Sequence, residues 1–212
     1  MNVLAMEFST AAASLALLTD RRTAAVLSVD ASQRRSQGLF DAVESLLRGV
    51  GWTFADIGAF AAGRGPGAYT GLRVSLTAAR GWALPASKPV WTVSSGAALA
   101  AEVFAERPEI SRFAAWGDAR RGLIWAGLFE RDAKQLVRQT GEWKLLPAAA
   151  RGREWPEACW AEAERPPRAE WVGKLFFAGG ASEEWLPIYL HPAVTAAPRF
   201  DAEGKPLENA RE

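Results

Sequence analysis

The stretch GRGPGAYTGLR, residues 63–73, is the part of the sequence whose residue types first suggest chemistry. It contains four glycines and one proline, and it leads directly into a helical pattern. Loops of this kind bind phosphate when they present backbone N–H groups at the start of a helix. Two interpretations are therefore open: an anion-binding loop, or a rigid turn that sets the direction of the helix.

The known phosphate-binding fingerprints do not fit the spacing of this loop. The P-loop, G-x-x-x-x-G-K-[ST], requires a lysine that does not follow Gly71. The dinucleotide fingerprint, G-x-G-x-x-G, fails because Thr70 occupies the sixth position counted from Gly65. Pro66 removes one N–H donor and stiffens the turn, and we expect Gly67 and Gly71 at positive φ, where a Cβ would be costly. The loop residues predicted to have a structural role are Gly63, Gly65, Pro66, Gly67, Thr70 and Gly71.

Other catalytic arrangements find little support in the residue types. His191 is the only histidine, so a metal site built on several histidines cannot form within this chain. A Ser-His-Asp triad would depend on the same residue, and no G-x-S-x-G motif accompanies any serine. Cys159 is the only cysteine, which excludes an internal disulfide. Glu7 and Asp118 could form a carboxylate pair, but each ends a predicted strand, where a polar residue is expected anyway.

Hydrophobic periodicity predicts the elements that position the glycine loop. Three short apolar runs separated by turns indicate an antiparallel meander at the start of the chain. The spacing of Leu39, Val43 and Leu46 predicts a helix. Phe40 and Leu47 form a second apolar stripe beside the first, so the apolar surface of this helix is wide. The predicted strands are 2–8, 13–19, 23–29, 56–63 and 89–93, and the predicted helices are 36–50, 70–84 and 95–104.

The second half of the chain shows fewer patterns. Segments 112–118 and 123–130 flank the sequence ARRG and are typical of a β-hairpin. Residues 147–169 are rich in Pro, Ala, Arg and Glu, and we expect loops and short helices there. Residues 170–180 are predicted to form one more strand and a turn. The polar tail after Pro198 is predicted to be loose.

Composition and charge are those of a soluble globular protein. The 212 residues are 49% hydrophobic and 23% charged, with a formal net charge of +1. A dedicated nucleic-acid binder would show a basic patch, which this balance argues against. The start of the chain has no basic region typical of a signal peptide, and no apolar run is long enough to span a bilayer. We therefore expect a cytoplasmic protein that does not bind a membrane.

Several segments, in order, resemble the TsaB (YeaZ) family. Residues 63–84 resemble its long loop-and-helix signature, G-x-G-P-G-[SA]-[FY]-T-G-[LV]-R. Residues 4–10, LAMEFST, are similar to the family's first strand and its D-T-S-T turn, with Glu7 in place of Asp. Residues 117–129 resemble its D-A-R-x-G hairpin, and the sequence PIYL near the C-terminus resembles a P-x-Y-L motif. The resemblance is good over residues 2–130 and poor beyond them.

The resemblance implies a fold and a role. The fold is α/β, of the two-lobe actin/Hsp70/sugar-kinase (ASKHA) type, with lobes predicted at 1–104 and 105–212. TsaB-like proteins pair with TsaD, the catalytic and metal-binding subunit that puts a threonylcarbamoyl group on adenosine in tRNA. A third component, the ATPase TsaE, binds the pair. This chain is accordingly expected to be a scaffold that reaches tRNA only through the complex, with no catalytic residue, metal or cofactor of its own.

The two helices around the glycine loop are predicted to form the partner surface. One apolar stripe of the helix 36–50 would face the core, which leaves Phe40 and Leu47 for a partner. On the helix 70–84, a polar face has the same spacing. The same surface could join two copies of this chain, and a nucleotide could sit at the partner interface. The residues predicted to bind the partner are Phe40, Glu44, Leu47, Arg73, Thr77 and Arg80.

Three other functions remain as alternatives. A small-molecule kinase or ATPase of the same superfamily would need phosphate-binding hairpins, and the turn at Ser9 and Thr10 contains no glycine. A peptidase would need a metal site, a catalytic triad or an active cysteine. A homodimeric binding module without an enzyme partner would be distinguished by its size alone and in the presence of a TsaD-like protein.

Overall fold

The computed structural model describes residues 1–30, 36–132 and 136–190, and it contains two β-sheets with four α-helices in these ranges. His191 and the tail after Pro198 lie outside the described residues. In chain order the elements are β1 (Asn2–Glu7), β2 (Ala12–Thr19), β3 (Arg22–Asp30), α1 (Ser36–Gly49), β4 (Ala59–Gly63), α2 (Tyr69–Ala83), β5 (Val90–Val93), α3 (Ser95–Glu106), β6 (Arg112–Arg120), β7 (Leu123–Arg131), β8 (Val137–Pro147), β9 (Cys159–Trp160) and α4 (Ala169–Ala178).

The first sheet has the strand order β3-β2-β1-β4-β5. The predicted meander supplies its antiparallel half, β1 to β3, and β4 and β5 add to β1 in parallel. β4 is buried along its whole length because helices cover both faces of the sheet. Parallel strands with both faces covered are expected to be almost continuously apolar, as this strand is.

Alternation along the strands divides the apolar residues of this sheet between two layers. Leu4 and Leu15 lie on the face that packs against α1 and α2. Val3, Ala5 and Leu18 lie on the opposite face, which packs against α3 and α4. Because side chains on successive residues of a strand point to opposite faces, one short apolar run serves both layers.

Helix α3 is the central element between the two sheets. Ala98 and Ala101 pack against the first sheet, while Leu99, Val103 and Phe104 pack against the second. A helix that is apolar on all sides is expected only where it is buried on all sides. The composition of α3 therefore follows from its place between the sheets.

The second sheet has the strand order β8-β7-β6-β9. The predicted hairpin forms its β6–β7 pair, which turns at Arg120 and Arg121, both with positive φ. Trp143 of β8 packs edge-on against Trp125 and Phe129. Aromatic packing between the strands and α3 therefore accounts for part of the tryptophan content of this half.

The prediction of a strand over 170–180 is wrong, because these residues form the helix α4. Ala169, Val172 and Leu175 recur at helical spacing and are buried against β1 and β2 of the first sheet. Gly179 ends the helix with a φ of 84°, a conformation that glycine adopts without strain. The apolar residues of this short segment fit either a strand or a helix, and packing against the first sheet stabilises the helix.

Strand β8, Val137–Pro147, was not predicted from the sequence. It lies at the edge of the second sheet, so its residues are exposed or half-buried, and their burial does not alternate regularly along the strand. A bulge interrupts its pairing with β7, and Gly141 near this point has a φ of 78°. An edge strand with a bulge carries a weak sequence signal because neither the period nor the burial is regular.

No helix within the described ranges is long and apolar enough to cross a membrane.

We predict that α4 stabilises the first sheet although it comes from the second half of the chain. Leu175→Ala should lower the free energy of unfolding by about 2–4 kcal/mol, because it deletes a buried side chain and leaves a cavity. Glu183→Ala, at an exposed position after α4, is the control and should change it by less than about 0.5 kcal/mol. Denaturant unfolding measures both variants, and equal stabilities would contradict the packing of α4.

Candidate functional site

The glycine loop, residues 63–68, connects β4 to α2 and lies against the β1–β2 turn. The amide of Ala68 donates a hydrogen bond of 2.7 Å to the carbonyl oxygen of Ser9. A Cβ on Gly67 would lie 2.3 Å from this oxygen, and one on Gly71 would lie 2.0 Å from the carbonyl oxygen of Phe8. Both distances are impossible for real atoms, so both positions require glycine. The contacts are those of a fixed turn.

The physical reason for these glycines differs from the expected one. Gly67 and Gly71 do not have positive φ; they are needed because two backbone segments approach closely. Within the loop, positive φ occurs at Gly65, with a φ of 96°, before the cis peptide bond to Pro66. Glycine is needed at position 63 for yet another reason: an added Cβ would overlap the carboxyl group of Glu7.

Glu7 is a buried carboxyl group beneath the loop. Its Oε1 accepts a hydrogen bond of 2.7 Å from the amide of Ser9, and its Oε2 accepts one of 2.7 Å from Ser95 Oγ. Burial raises the pKa of Glu7, and the hydrogen bonds from Ser9 and Ser95 oppose this effect without cancelling it. The carboxyl group therefore joins the end of β1 to the start of α3.

Ser95 extends this connection to the glycine loop. Its Oγ accepts a hydrogen bond of 3.0 Å from the amide of Gly65, and its own amide donates one of 2.8 Å to the Gly65 carbonyl. The amide of Arg64 donates to Val93 at the end of β5. The loop is thus fixed by hydrogen bonds to β5 and α3, and Glu7 of β1 lies directly beneath it. Thr70 is exposed in the first turn of α2.

The structure separates the residues predicted for the partner surface of α1. Phe40 is 43% exposed and stacks on Phe54 with 5.6 Å between ring centroids. Glu44 is exposed on the same helix. Leu47 is only 2% exposed and packs in the core beneath α1, so its prediction as a partner residue is wrong. The second apolar stripe is split because Leu47 lies nearer to the sheet than Phe40.

The predicted residues of α2, Arg73, Thr77 and Arg80, are all exposed. Two of them already have aromatic neighbours that the sequence did not reveal. The guanidinium of Arg73 lies 4.0 Å from the ring centroid of Tyr69 and donates from Nε to the Tyr189 hydroxyl at 3.1 Å. The guanidinium of Arg80 lies 4.0 Å from the ring centroid of Trp185.

Tyr189 and Trp185 belong to a C-terminal segment, residues 182–190, that crosses the loop and α2. Thr92 and Ser182 exchange backbone hydrogen bonds, and Arg64 forms an ion pair of 2.6 Å with Glu184. The amide of Ile188 donates to the carbonyl of Arg64. The P-x-Y-L resemblance marked this segment, but only the fold brings it to α2.

A cavity of about 1110 Å³ opens where the glycine loop, the β1–β2 turn, the β6–β7 hairpin and the C-terminal segment meet. Asp118 lies in its wall, where its carboxylate is paired with Arg120 and its amide donates to Glu164. Glu7 lies beneath the loop with different partners, so the described contacts do not join the two carboxylates. No cluster of potential metal ligands occurs in residues 1–30, 36–132 and 136–190.

We predict that the loop glycines are needed for stability. Gly67→Val should lower the free energy of unfolding by about 2 kcal/mol, because the added atoms overlap the Ser9 backbone. Gly81→Ala is the matched control on the open side of α2, and it should raise stability by about 0.5–1 kcal/mol, the usual gain in a helix interior. Thermal unfolding measures both, and an unchanged melting temperature for Gly67→Val would contradict the close contact.

We further predict a pH dependence from Glu7. Because its pKa is raised in the folded state, its contribution to stability is fully present below the unfolded pKa near 4.5 and is lost as the pH rises through the folded pKa. Glu7→Gln stays neutral and removes this loss. Unfolding curves of both proteins, measured from below pH 4.5 upwards, should therefore show the free energy of unfolding of the variant rising relative to that of the wild type. A wild-type protein that gains relative stability with rising pH would show that the carboxyl group is ionised in the folded state.

Comparisons with known proteins match both the sequence and the fold. A family model described as TsaD, tRNA N6-adenosine threonylcarbamoyltransferase, matches residues 21–183. The tRNA threonylcarbamoyladenosine biosynthesis protein TsaB of Escherichia coli strain K12 is 33% identical over 132 residues, which are 62% of this chain and 56% of that protein. TsaB of Bacillus subtilis strain 168 is 31% identical over 130 residues, which are 61% of this chain and 56% of that protein. The matched region thus spans 56% of the length of each of these relatives.

A solved structure of YeaZ from Pseudomonas aeruginosa has the same fold. It is 29% identical in sequence, superposes with a TM-score of 0.73, and the match covers 89% of this chain and 99% of that chain. The predicted α/β fold is confirmed, and it is the fold of YeaZ. The chain therefore belongs to the family described by the TsaD model, and within this family it groups with the TsaB (YeaZ) proteins.

Proposed function

We propose that this chain acts in the biosynthesis of threonylcarbamoyladenosine in tRNA, as a scaffold subunit that pairs with a TsaD-like catalytic subunit. The names of its relatives support the process. A single histidine in the whole chain cannot supply a pair of histidine metal ligands, which supports a role without catalysis of its own. A TsaE-like ATPase and tRNA would be reached through the complex.

The observation that carries the pairing role is the exposed aromatic residue Phe40 on α1. An apolar side chain of this size costs free energy in water unless another surface covers it. Phe40 stacks on Phe54, and Phe54 in turn packs edge-on against Trp82 of α2 at 5.6 Å. Phe40 is therefore held in place, so it would lose little conformational freedom on binding.

The surroundings of Phe40 have the composition of a protein interface. Helices α1 and α2 pack on the same face of the first sheet, so their outer sides form one surface. Glu44, Arg73, Thr77 and Arg80 supply polar groups there. Interfaces typically combine a few aromatic and arginine anchors with a polar rim. A second copy of this chain could occupy the same surface, and a nucleotide could bind at the partner interface.

We predict that Phe40→Asp prevents pairing while the chain stays folded. A central apolar anchor is typically worth about 2 kcal/mol or more, and the variant would also bury a charge. Titration of a TsaD-like protein from the same cells, followed by calorimetry, measures the affinity, and circular dichroism measures folding. The matched control is Val26→Asp, which changes another exposed apolar residue, 46% exposed, on the opposite face of the first sheet.

Two results would contradict the proposal. Phe40→Asp that binds as tightly as the wild type would place the interface elsewhere, and a wild-type chain that does not bind the TsaD-like protein would refute the pairing itself. Leu47→Asp provides an internal check, because it should unfold the chain rather than affect binding alone.

A further inference from the structure

Arg73 and Arg80 occupy one side of α2, two helical turns apart. Residues seven positions apart on a helix are separated by about 10 Å along its axis. Thr77 lies between them on the same exposed side. The two arginines are therefore attached at a fixed spacing along α2, on the surface proposed to meet the partner.

Neither arginine has a carboxylate within ion-pair distance among the residues that the structure describes. By contrast, Arg64, close by in the loop, is paired with Glu184. Arg73 uses only its Nε for a hydrogen bond to a described residue, which leaves both terminal nitrogens of its fork unoccupied there. The fork geometry of arginine suits bidentate binding of a carboxylate.

Aromatic residues of the C-terminal segment hold both arginines in position. The Trp185 ring lies under Arg80, and the Tyr189 hydroxyl accepts from Arg73, whose guanidinium lies over the Tyr69 ring. The rings of Tyr69 and Tyr189 are 5.1 Å apart. A long side chain that is already held loses less conformational freedom when it binds.

The segment that carries these aromatic residues is itself fixed to the first sheet. Before Trp185 in the chain, Ser182 and Glu184 are hydrogen-bonded to Thr92. Glu184 also forms the ion pair with Arg64. After Trp185, the amide of Ile188 donates to the carbonyl of Arg64. The position of Trp185 and Tyr189 relative to α2 is thus determined by the fold rather than by the arginines alone.

We propose that Trp185 and Tyr189 are positioning residues that hold Arg80 and Arg73 as a two-arginine clamp for carboxylates on an acidic surface of the partner protein. The inference rests on the proposed pairing function and specifies the chemistry of the partner surface: two carboxylates, one for each arginine. Tyrosine, tryptophan and arginine together are typical of protein interfaces. An RNA backbone is less well matched, because nucleic-acid binding needs a broader basic patch than two arginines in a chain of net charge +1.

The test is a double-mutant cycle on association with the TsaD-like protein, with the full chain and rate constants measured by surface plasmon resonance. Arg80→Gln removes a charge, so it should slow association, weaken its salt dependence and speed dissociation. Trp185→Ala keeps the charge but releases the arginine. It should leave the association rate and its salt dependence unchanged and speed dissociation about threefold. In the Arg80→Gln background, Trp185→Ala should have no further effect.

Tyr189→Phe repeats the test at the other arginine, since it deletes only the hydroxyl that accepts from Arg73. It should speed dissociation about threefold in the wild-type background and not in Arg73→Gln. Leu186→Ala is the matched control, because this exposed side chain lies in the same segment between the two aromatic residues. It should leave both rate constants unchanged.

Three outcomes would overturn the clamp. Additive effects of Trp185→Ala and Arg80→Gln would show that the tryptophan acts independently of the arginine. A slower association of a folded Trp185→Ala variant would show that the tryptophan takes part in the encounter with the partner rather than holding the arginine. Arginine variants that weaken binding of the isolated chain to tRNA, but not its pairing, would assign the clamp to phosphates. In each of these cases, pairing of the wild-type chain keeps the proposed function intact, whereas a wild-type chain that fails to pair refutes both.

Discussion

The close contact between the glycine loop and the β1–β2 turn is the constraint on which the rest of the site depends. At Gly67 and Gly71 the backbones approach so closely that no side chain fits between them. Beneath the contact, Glu7 and Ser95 connect the end of β1, the loop and the start of α3 through short hydrogen bonds. A buried carboxyl group is costly unless its oxygens are satisfied, and here each oxygen has a partner. Loop, sheet and central helix are therefore positioned together.

The orientation of α2 follows from this contact. Ala68 is hydrogen-bonded to Ser9, so the helix begins at one place relative to the sheet and directs Arg73 and Arg80 outwards. The C-terminal segment then packs across the loop and meets these arginines with Trp185 and Tyr189. The surface that we assign to a partner is thus composed of two helices and a distant segment of the chain. Its rigidity comes from backbone packing.

The sequence predicted those elements whose apolar period is regular, and it failed where tertiary context decides. The meander, α1, α2 and α3 were recognised because their residues repeat with the period of a strand or a helix. The prediction of a strand at α4 is wrong because the apolar residues of this short segment suit a strand as well as a helix, and only packing on β1 and β2 distinguishes them. Leu47 was misplaced because periodicity defines the stripe but not its angle to the sheet. Tyr189 and Trp185 lie more than 100 positions away from Arg73 and Arg80 in the chain, so no local pattern can reveal these contacts.

The central claim, that the glycine loop is a fixed corner of the fold, is tested most directly by native-state hydrogen exchange of individual amides. Those of Gly65, Ala68 and Ser9 each donate to an oxygen in the contact between the loop, the turn and α3. If the contact opens only when the whole chain unfolds, these amides will exchange with the same free energy as amides in the middle of β1 and β4. Exchange at the rate of an exposed loop, while β1 and β4 remain protected, would contradict the account.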